Sequence, residues 1–137
     1  MADDRVSVSR SVEVPADIRD VWAVVGDFHG LDKWHPAVAS STREHVTGEE
    51  FRALDLEGGG RIVEHLEGET GHSYDYAILR GPLPVAHYHA RIEATNTGGG
   101  TQVTWSSSFV PTSEDAEQVI AGVYEAGLGA LKERFAG

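Results

Sequence analysis

The chain has no cysteine in its 137 residues. Disulfides, thiolate metal sites and a cysteine nucleophile are excluded together, and the composition fits a reducing compartment. No apolar run approaches the ~20 residues of a membrane-spanning helix, so membrane insertion is not expected. Basic residues are few: 11 Lys and Arg stand against 22 Asp and Glu, for a formal net charge of -11. Such a field repels a phosphate backbone, so nucleic acid is not an expected partner; the charge serves solubility. The opening residues Met1-Ala2-Asp3-Asp4-Arg5 are acidic and carry no apolar segment, unlike a secretory signal. The expected location is the cytoplasm. Phosphate loops are also missing, because Gly58-Gly59-Gly60 and Gly98-Gly99-Gly100 fall between strands and not between a strand and a helix. Ser106-Ser107-Ser108 has no nucleophile-elbow context, which argues against a serine hydrolase.

What is present is clear periodicity. The length suits one domain, 1–137, large enough to bury a core without staples. Val6, Val8, Val12 and Val14 alternate with Ser7, Ser9, Ser11 and Glu13, the period of a half-buried strand. Pro15 ends it. Ile18, Val21, Trp22 and Val25 follow at helical spacing up to Gly26, and a short second helix or turn is expected over Gly30 to Trp34. Pro36 stops it by forcing His35 toward extended geometry. Strands are predicted near 37–46, 50–56, 61–68, 72–80, 85–96 and 101–110, separated by glycine turns. Short connections between successive strands favour an antiparallel meander.

The last segment reads as a long helix with Ser113 as its cap and acidic residues at its positive end. Its apolar stripe comprises Ala116, Val119, Ile120, Val123, Gly127, Leu128, Leu131 and Phe135. Gly122, Gly127 and Gly129 lie inside the helix, where each costs about 1 kcal/mol relative to Ala. They serve either close packing on a sheet or space for a ligand. The expected class is α+β: a seven-stranded curved antiparallel sheet around the long helix, in the order βααββββββα.

Trp34-His35-Pro36, Glu64-His65-Leu66 and Gly81-Pro82-Leu83-Pro84-Val85-Ala86-His87-Tyr88 set polar and aromatic groups along otherwise core-like strands, which suits the rim of a cavity. With Ser11-Val12-Glu13-Val14-Pro15-Ala16, Asp27-Phe28, Tyr76, Thr104-Trp105-Ser106 and Gly127-Leu128, they make the chain resemble the START-like, helix-grip superfamily. Within it the bacterial SRPBCC group, labelled polyketide cyclase/dehydratase-like, is the most similar. The resemblance covers nearly the whole chain. It implies a cavity between sheet and helix for a largely apolar small molecule. The activity it implies is either cofactor-free cyclisation or dehydration, or plain binding as a carrier, sensor or sequestering protein. No cofactor and no metal are expected, and the protomer would act as a monomer or homodimer. Plant abscisic acid receptors are more distant relatives. Against their pattern His35 stands in place of a ligand-facing lysine, Glu64 and Tyr88 match cavity residues, and Trp105 replaces a second cavity glutamate. The gate loops correspond to Leu56–Gly60 and Gly81–Val85, without the receptors' gate sequence.

Strand alternation supplies the candidate site. If Glu64 faces the cavity, Ile62 and Leu66 do too. If Tyr88 faces inward, His87, His89 and Arg91 face out, so the His87 and His89 pair, spaced like metal ligands, sits outside with no third ligand evident. Glu64 and His35 are the candidate proton-handling residues, Glu64 because an apolar cavity raises a carboxyl pKa, His35 because imidazole titrates near neutrality. Each has a plainer alternative: Glu64 paired with Arg52 or Arg61, His35 bonded to backbone. The candidate ligand-binding residues are Trp34, Tyr74, Tyr76, Leu83, Tyr88, Trp105, Ser107, Val123 and Leu128. The tyrosines would orient a carbonyl or simply pack.

Overall fold

The structure, a computed structural model, describes residues 4 to 136; Met1 to Asp3 of the acidic opening and Gly137 lie outside it. The chain begins with strand β1 (Val6–Val14), whose valines point alternately inward. Helix α1 (Ile18–Val25) follows, started by Asp17, whose carboxylate accepts from the Arg19 amide at 2.8 Å. A 3-10 helix (Phe28–Lys33) comes next, capped in the same way by Asp27 accepting from the His29 amide at 3.1 Å. It starts two residues before the predicted Gly30, because Asp27 supplies the cap.

Six strands then form the meander: β2 (Val38–Val46), β3 (Glu49–Leu56), β4 (Arg61–Glu69), β5 (Ser73–Arg80), β6 (Val85–Thr97) and β7 (Gly100–Pro111). Every pairing is antiparallel, in the order β1-β7-β6-β5-β4-β3-β2. β1 therefore returns to lie beside the last strand, and the concave face closes over the long helix α2 (Ala116–Arg134). This is the helix-grip architecture expected from the sequence. The β3–β4 turn is tight because Gly58, Gly59 and Gly60 all take φ between 86° and 106°, a region closed to most side chains.

The core lies between the concave face and α2. Ile92, Val103, Trp105 and Phe109 of the sheet meet Ile120, Tyr124, Leu128 and Leu131 of the helix. Three details of α2 differ from the sequence reading. Ser113 does not cap the helix; its hydroxyl bonds Asp115, and Asp115 itself sits at the cap position without a side-chain bond to the backbone. Tyr124, absent from the predicted stripe, is fully buried on it, whereas Val119 is half-buried. Of the helix glycines only Gly127 packs closely. A Cβ there would lie 2.6 Å from His35 Cδ2 and 3.0 Å from Trp105 Cζ3, while Gly122 and Gly129 have nothing within 4 Å.

Candidate functional site

Between the sheet and α2 lies a cavity of about 140 Å³. β3 and β4 supply Leu54, Leu56, Ile62 and Glu64; β5 and β6 supply Tyr76, Ile78 and Tyr88. Trp105 of β7 and Ile120 and Val123 of α2 close the far side, and His35 enters from the end of the 3-10 helix. The lining is apolar except for Glu57 at the rim, the ionisable pair Glu64 and His35, and the phenol and indole heads. Leu83 forms the outer wall, from the β5–β6 loop. That loop touches the β3–β4 turn: a Cβ on Gly60 would stand 3.4 Å from Pro82 Cγ. The two sequence-predicted gate segments thus meet at the cavity mouth.

Glu64 is buried, and its Oε1 accepts from Arg52 Nε at 2.7 Å. Arg52 is fully buried as well. Its Nη1 donates to the Phe28 carbonyl at 2.5 Å and to the Tyr74 hydroxyl at 3.3 Å, and its plane lies 4.1 Å from the Phe28 ring centroid. Desolvation opposes the guanidinium charge, but the surrounding Tyr74, Glu64 and Tyr76 outweigh it and hold the proton on. Burial raises the Glu64 pKa above its ordinary value, with Arg52 pulling in the opposite direction. A buried ion pair of this kind is weak evidence for stability, yet breaking it would leave an uncompensated charge. Of the two plainer readings of Glu64, the Arg52 pairing is the one present. It coexists with a cavity-lining position, because only Oε1 is engaged by the arginine.

His35 is buried with both ring nitrogens engaged. Nδ1 accepts from the Ala37 amide at 3.1 Å, which places the proton on Nε2, and Nε2 donates to the Val123 carbonyl at 2.7 Å. Desolvation lowers its pKa below 6.5, so the ring is neutral. His35 ties α2 to the 3-10 helix and has no free lone pair for a substrate proton. Among the described residues it makes no hydrogen bond to Glu64.

The aromatic heads form a hydrogen-bonded chain across the interior. Trp105 Nε1 donates to the Tyr76 hydroxyl at 3.0 Å, the Tyr76 hydroxyl meets that of Tyr88 at 3.1 Å, and Tyr88 bonds Tyr124 on α2. Trp105 and Tyr124 also stack, with centroids 4.5 Å apart. Desolvation raises the pKa of Tyr76, Tyr88 and Tyr124, so all three stay neutral phenols.

Of the sequence-predicted residues, Glu64, His35, Tyr76, Leu83, Tyr88, Trp105 and Val123 line the cavity together. Trp34, Tyr74, Ser107 and Leu128 are buried but lie outside the lining. Trp34 sits behind His35 and Trp105, at 6.0 and 5.7 Å between centroids. Tyr74 is screened by Arg52 and Phe28. Ser107 lies beside the Tyr124 hydroxyl, and Leu128 packs in the core between α2 and the sheet. Sequence reasoning offered Arg52 only as an alternative to a cavity-facing Glu64, and it missed Tyr124 as the link to α2. Both carried a signal: Arg52 alternates in phase with Leu54 and Leu56, and Tyr124 lies four residues from both Ile120 and Leu128.

Comparisons with known proteins place this geometry. A comparison with curated proteins returns no match. Among solved structures, the protein XoxI from Bacillus cereus superposes with a TM-score of 0.90 at 30% identity over 96% of each chain. An uncharacterized protein from Bacillus thuringiensis gives 0.88 at 31% identity, over 96% of this chain and all of that one (100%). The Zhui aromatase/cyclase from Streptomyces sp. R1128 gives 0.77 at 18% identity, over 96% and 94%, a likeness of fold. Residues 5–136 match the family described as polyketide cyclase/dehydrase and lipid transport, and the chain belongs to that family.

Proposed function

We propose that this protein binds a compact, mostly apolar molecule in the cavity between the sheet and α2, with Glu64 accepting a hydrogen bond from it. The observation that carries this reading is the combination of an apolar lining with one buried carboxyl whose second oxygen has no hydrogen-bond donor among the described residues. The volume of about 140 Å³ sets the size. It is close to the ~150 Å³ of an engineered cavity that holds benzene and below the ~300–1,000 Å³ of drug-sized sites. One ring fits inside, and anything larger must extend beyond the hollow. The neutral phenols and the neutral imidazole are already bonded to protein, so they shape the site more than they react in it.

One observation favours a catalytic version, a cofactor-free cyclase or dehydratase. The Glu64 pKa is raised by burial, and the carboxyl faces the hollow, as proton transfer to or from a bound carbon or hydroxyl requires. Titration with phenol, followed by amide NMR shifts, tests the binding reading. Saturable shifts at Leu54, Ile120 and Val123 are expected, and Val123→Phe, which fills the hollow, should abolish them. No saturable shift in the parent protein, or the same affinity in Val123→Phe, would overturn it. For any molecule found to turn over, Glu64→Gln should reduce kcat while leaving most of the affinity.

A further inference from the structure

The sheet opens between β5 and β6. β5 and β6 pair from Ser73↔Glu93 to Ala77↔His89 and no further, although β5 continues to Arg80 and β6 begins at Val85. Over the same stretch β6 bulges against β7 between Ala86 and His89, and His87 takes φ +52°. A bulge of this kind bends its strand away from its partner. The gap leads to a groove of about 560 Å³ on the outer side of the sheet, where His65, Glu67 and His89 point. Ile78, Leu83 and Tyr88 line both this groove and the inner cavity. Only that layer of residues separates the two compartments, and Leu83 and Ile78 are both half-buried.

The groove is chemically unlike the cavity. Its ionisable residues are His65, Glu67, Arg80, His87 and His89. Glu67, the lone carboxylate, is bonded to His89 Nδ1 at 2.9 Å, and His65 is bonded to Glu49 at 2.6 Å. The Arg80 and His87 side chains have no hydrogen-bond or ion-pair partner among the described residues. Arg5 lies nearby, donating to the His87 carbonyl at 3.0 Å. The uncommitted groups are therefore donors, gathered on a protein whose net charge is -11.

We infer that the ligand site is bipartite: an apolar ring occupies the cavity, a short tether passes the gap between β5 and β6, and an anionic group rests outside against Arg80 and His87. This rests on the cavity reading above and adds the chemical class, an aryl or cyclic acid with a flexible tether. The gap, not the mouth at Gly60 and Pro82, is then the path along which the tether lies.

The test compares 4-(4-hydroxyphenyl)butyrate with 4-(4-hydroxyphenyl)-1-butanol, which share ring, phenol donor and tether and differ in charge. Affinities are read from amide NMR titrations of the parent and of Arg80→Gln/His87→Asn. Both replaced side chains are at the surface, and Asn tolerates the positive φ of position 87. The carboxylate should bind the parent about threefold tighter than the alcohol, the scale of an exposed ion pair. It should shift the Leu79 and His87 amides, which the alcohol leaves in place. The double variant should lose that preference and keep its affinity for the alcohol. Equal affinities in the parent, or a preference that survives the double substitution, would overturn the outer subsite while leaving the cavity reading intact. Binding of neither compound would overturn both.

Discussion

Alanine at Gly127 and alanine at Gly122 or Gly129 should move stability in opposite directions, although all three lie inside one helix. At each position alanine gains about 1 kcal/mol of helix propensity. At Gly122 and Gly129 nothing opposes the gain, because the new methyl meets open space. At Gly127 the methyl would stand 2.6 Å from His35 Cδ2, 3.1 Å from His35 Nε2 and 3.0 Å from Trp105 Cζ3. Either α2 moves outward or the imidazole turns. Overpacking of this kind costs roughly 1–3 kcal/mol. If the imidazole turns, its Nε2 bond to the Val123 carbonyl breaks in a buried setting, at a cost of about 1–3 kcal/mol more.

The net expectation is a loss of about 2 kcal/mol for Gly127→Ala and a gain of about 0.5–1 kcal/mol for each of the other two. For a domain of this size that corresponds to a fall of roughly 6–10 °C in Tm against a rise of about 2–4 °C. Urea unfolding followed by circular dichroism gives the free energies, and thermal melts give the Tm values. Removing the obstructing ring supplies the internal control: Gly127→Ala/His35→Ala should be more stable than the sum of the two single variants predicts. A Gly127→Ala protein as stable as Gly122→Ala would refute the close approach of α2 to His35. It would also reopen the alternative that this glycine leaves room for a ligand.

Three further perturbations probe the same interior. Arg52→Leu and Glu64→Leu should each lose about 3–5 kcal/mol, since either leaves one buried charge alone, while the double variant should lose less than either single one; a urea double-mutant cycle with additive losses would contradict the pair. Stability should fall as pH drops below 6.5, because the folded state depresses the His35 pKa and the unfolded chain takes up the proton first; the contribution is complete above 6.5 and is lost as pH falls through the folded value. Urea unfolding from pH 7.5 to 5 should show that slope, reduced in His35→Gln. Tyr124→Phe removes one link of the hydroxyl chain and should cost about 0.5–1.5 kcal/mol with the Trp105 stack intact, measured by denaturation and near-ultraviolet circular dichroism.

The strands were legible because glycine turns bracket them and because alternation of apolar residues carries the pleat. The six meander strands fall within about two residues of their expected bounds, and Tyr74, Tyr76 and Ile78 share a face as the period requires. Periodicity tells which way a side chain points, and nothing about what stands in front of it. Tyr74 and Tyr76 are equivalent by alternation, yet Arg52 and Phe28 screen one and the cavity borders the other. Leu128 and Val123 lie on one helix stripe, and only Val123 reaches the cavity. The split within each pair depends on how far α2 stands from the sheet, a tertiary distance that no local pattern encodes.

That distance is itself set by polar groups in the core, which explains why a hollow persists there. Aliphatic side chains can slide and repack to fill space, whereas a ring fixed at its polar end cannot follow. Trp105, Tyr76, Tyr88 and Tyr124 are linked head to head, and the last of these belongs to α2. His35 fixes the same helix a second time through the Val123 carbonyl. For the helix to sink onto the sheet, these bonds would have to break without water to replace them, at a cost of about 1–3 kcal/mol for each group left unpaired. The hydroxyls that look like candidate chemistry in the sequence act as struts in the fold, leaving Glu64 as the carboxyl that borders the hollow.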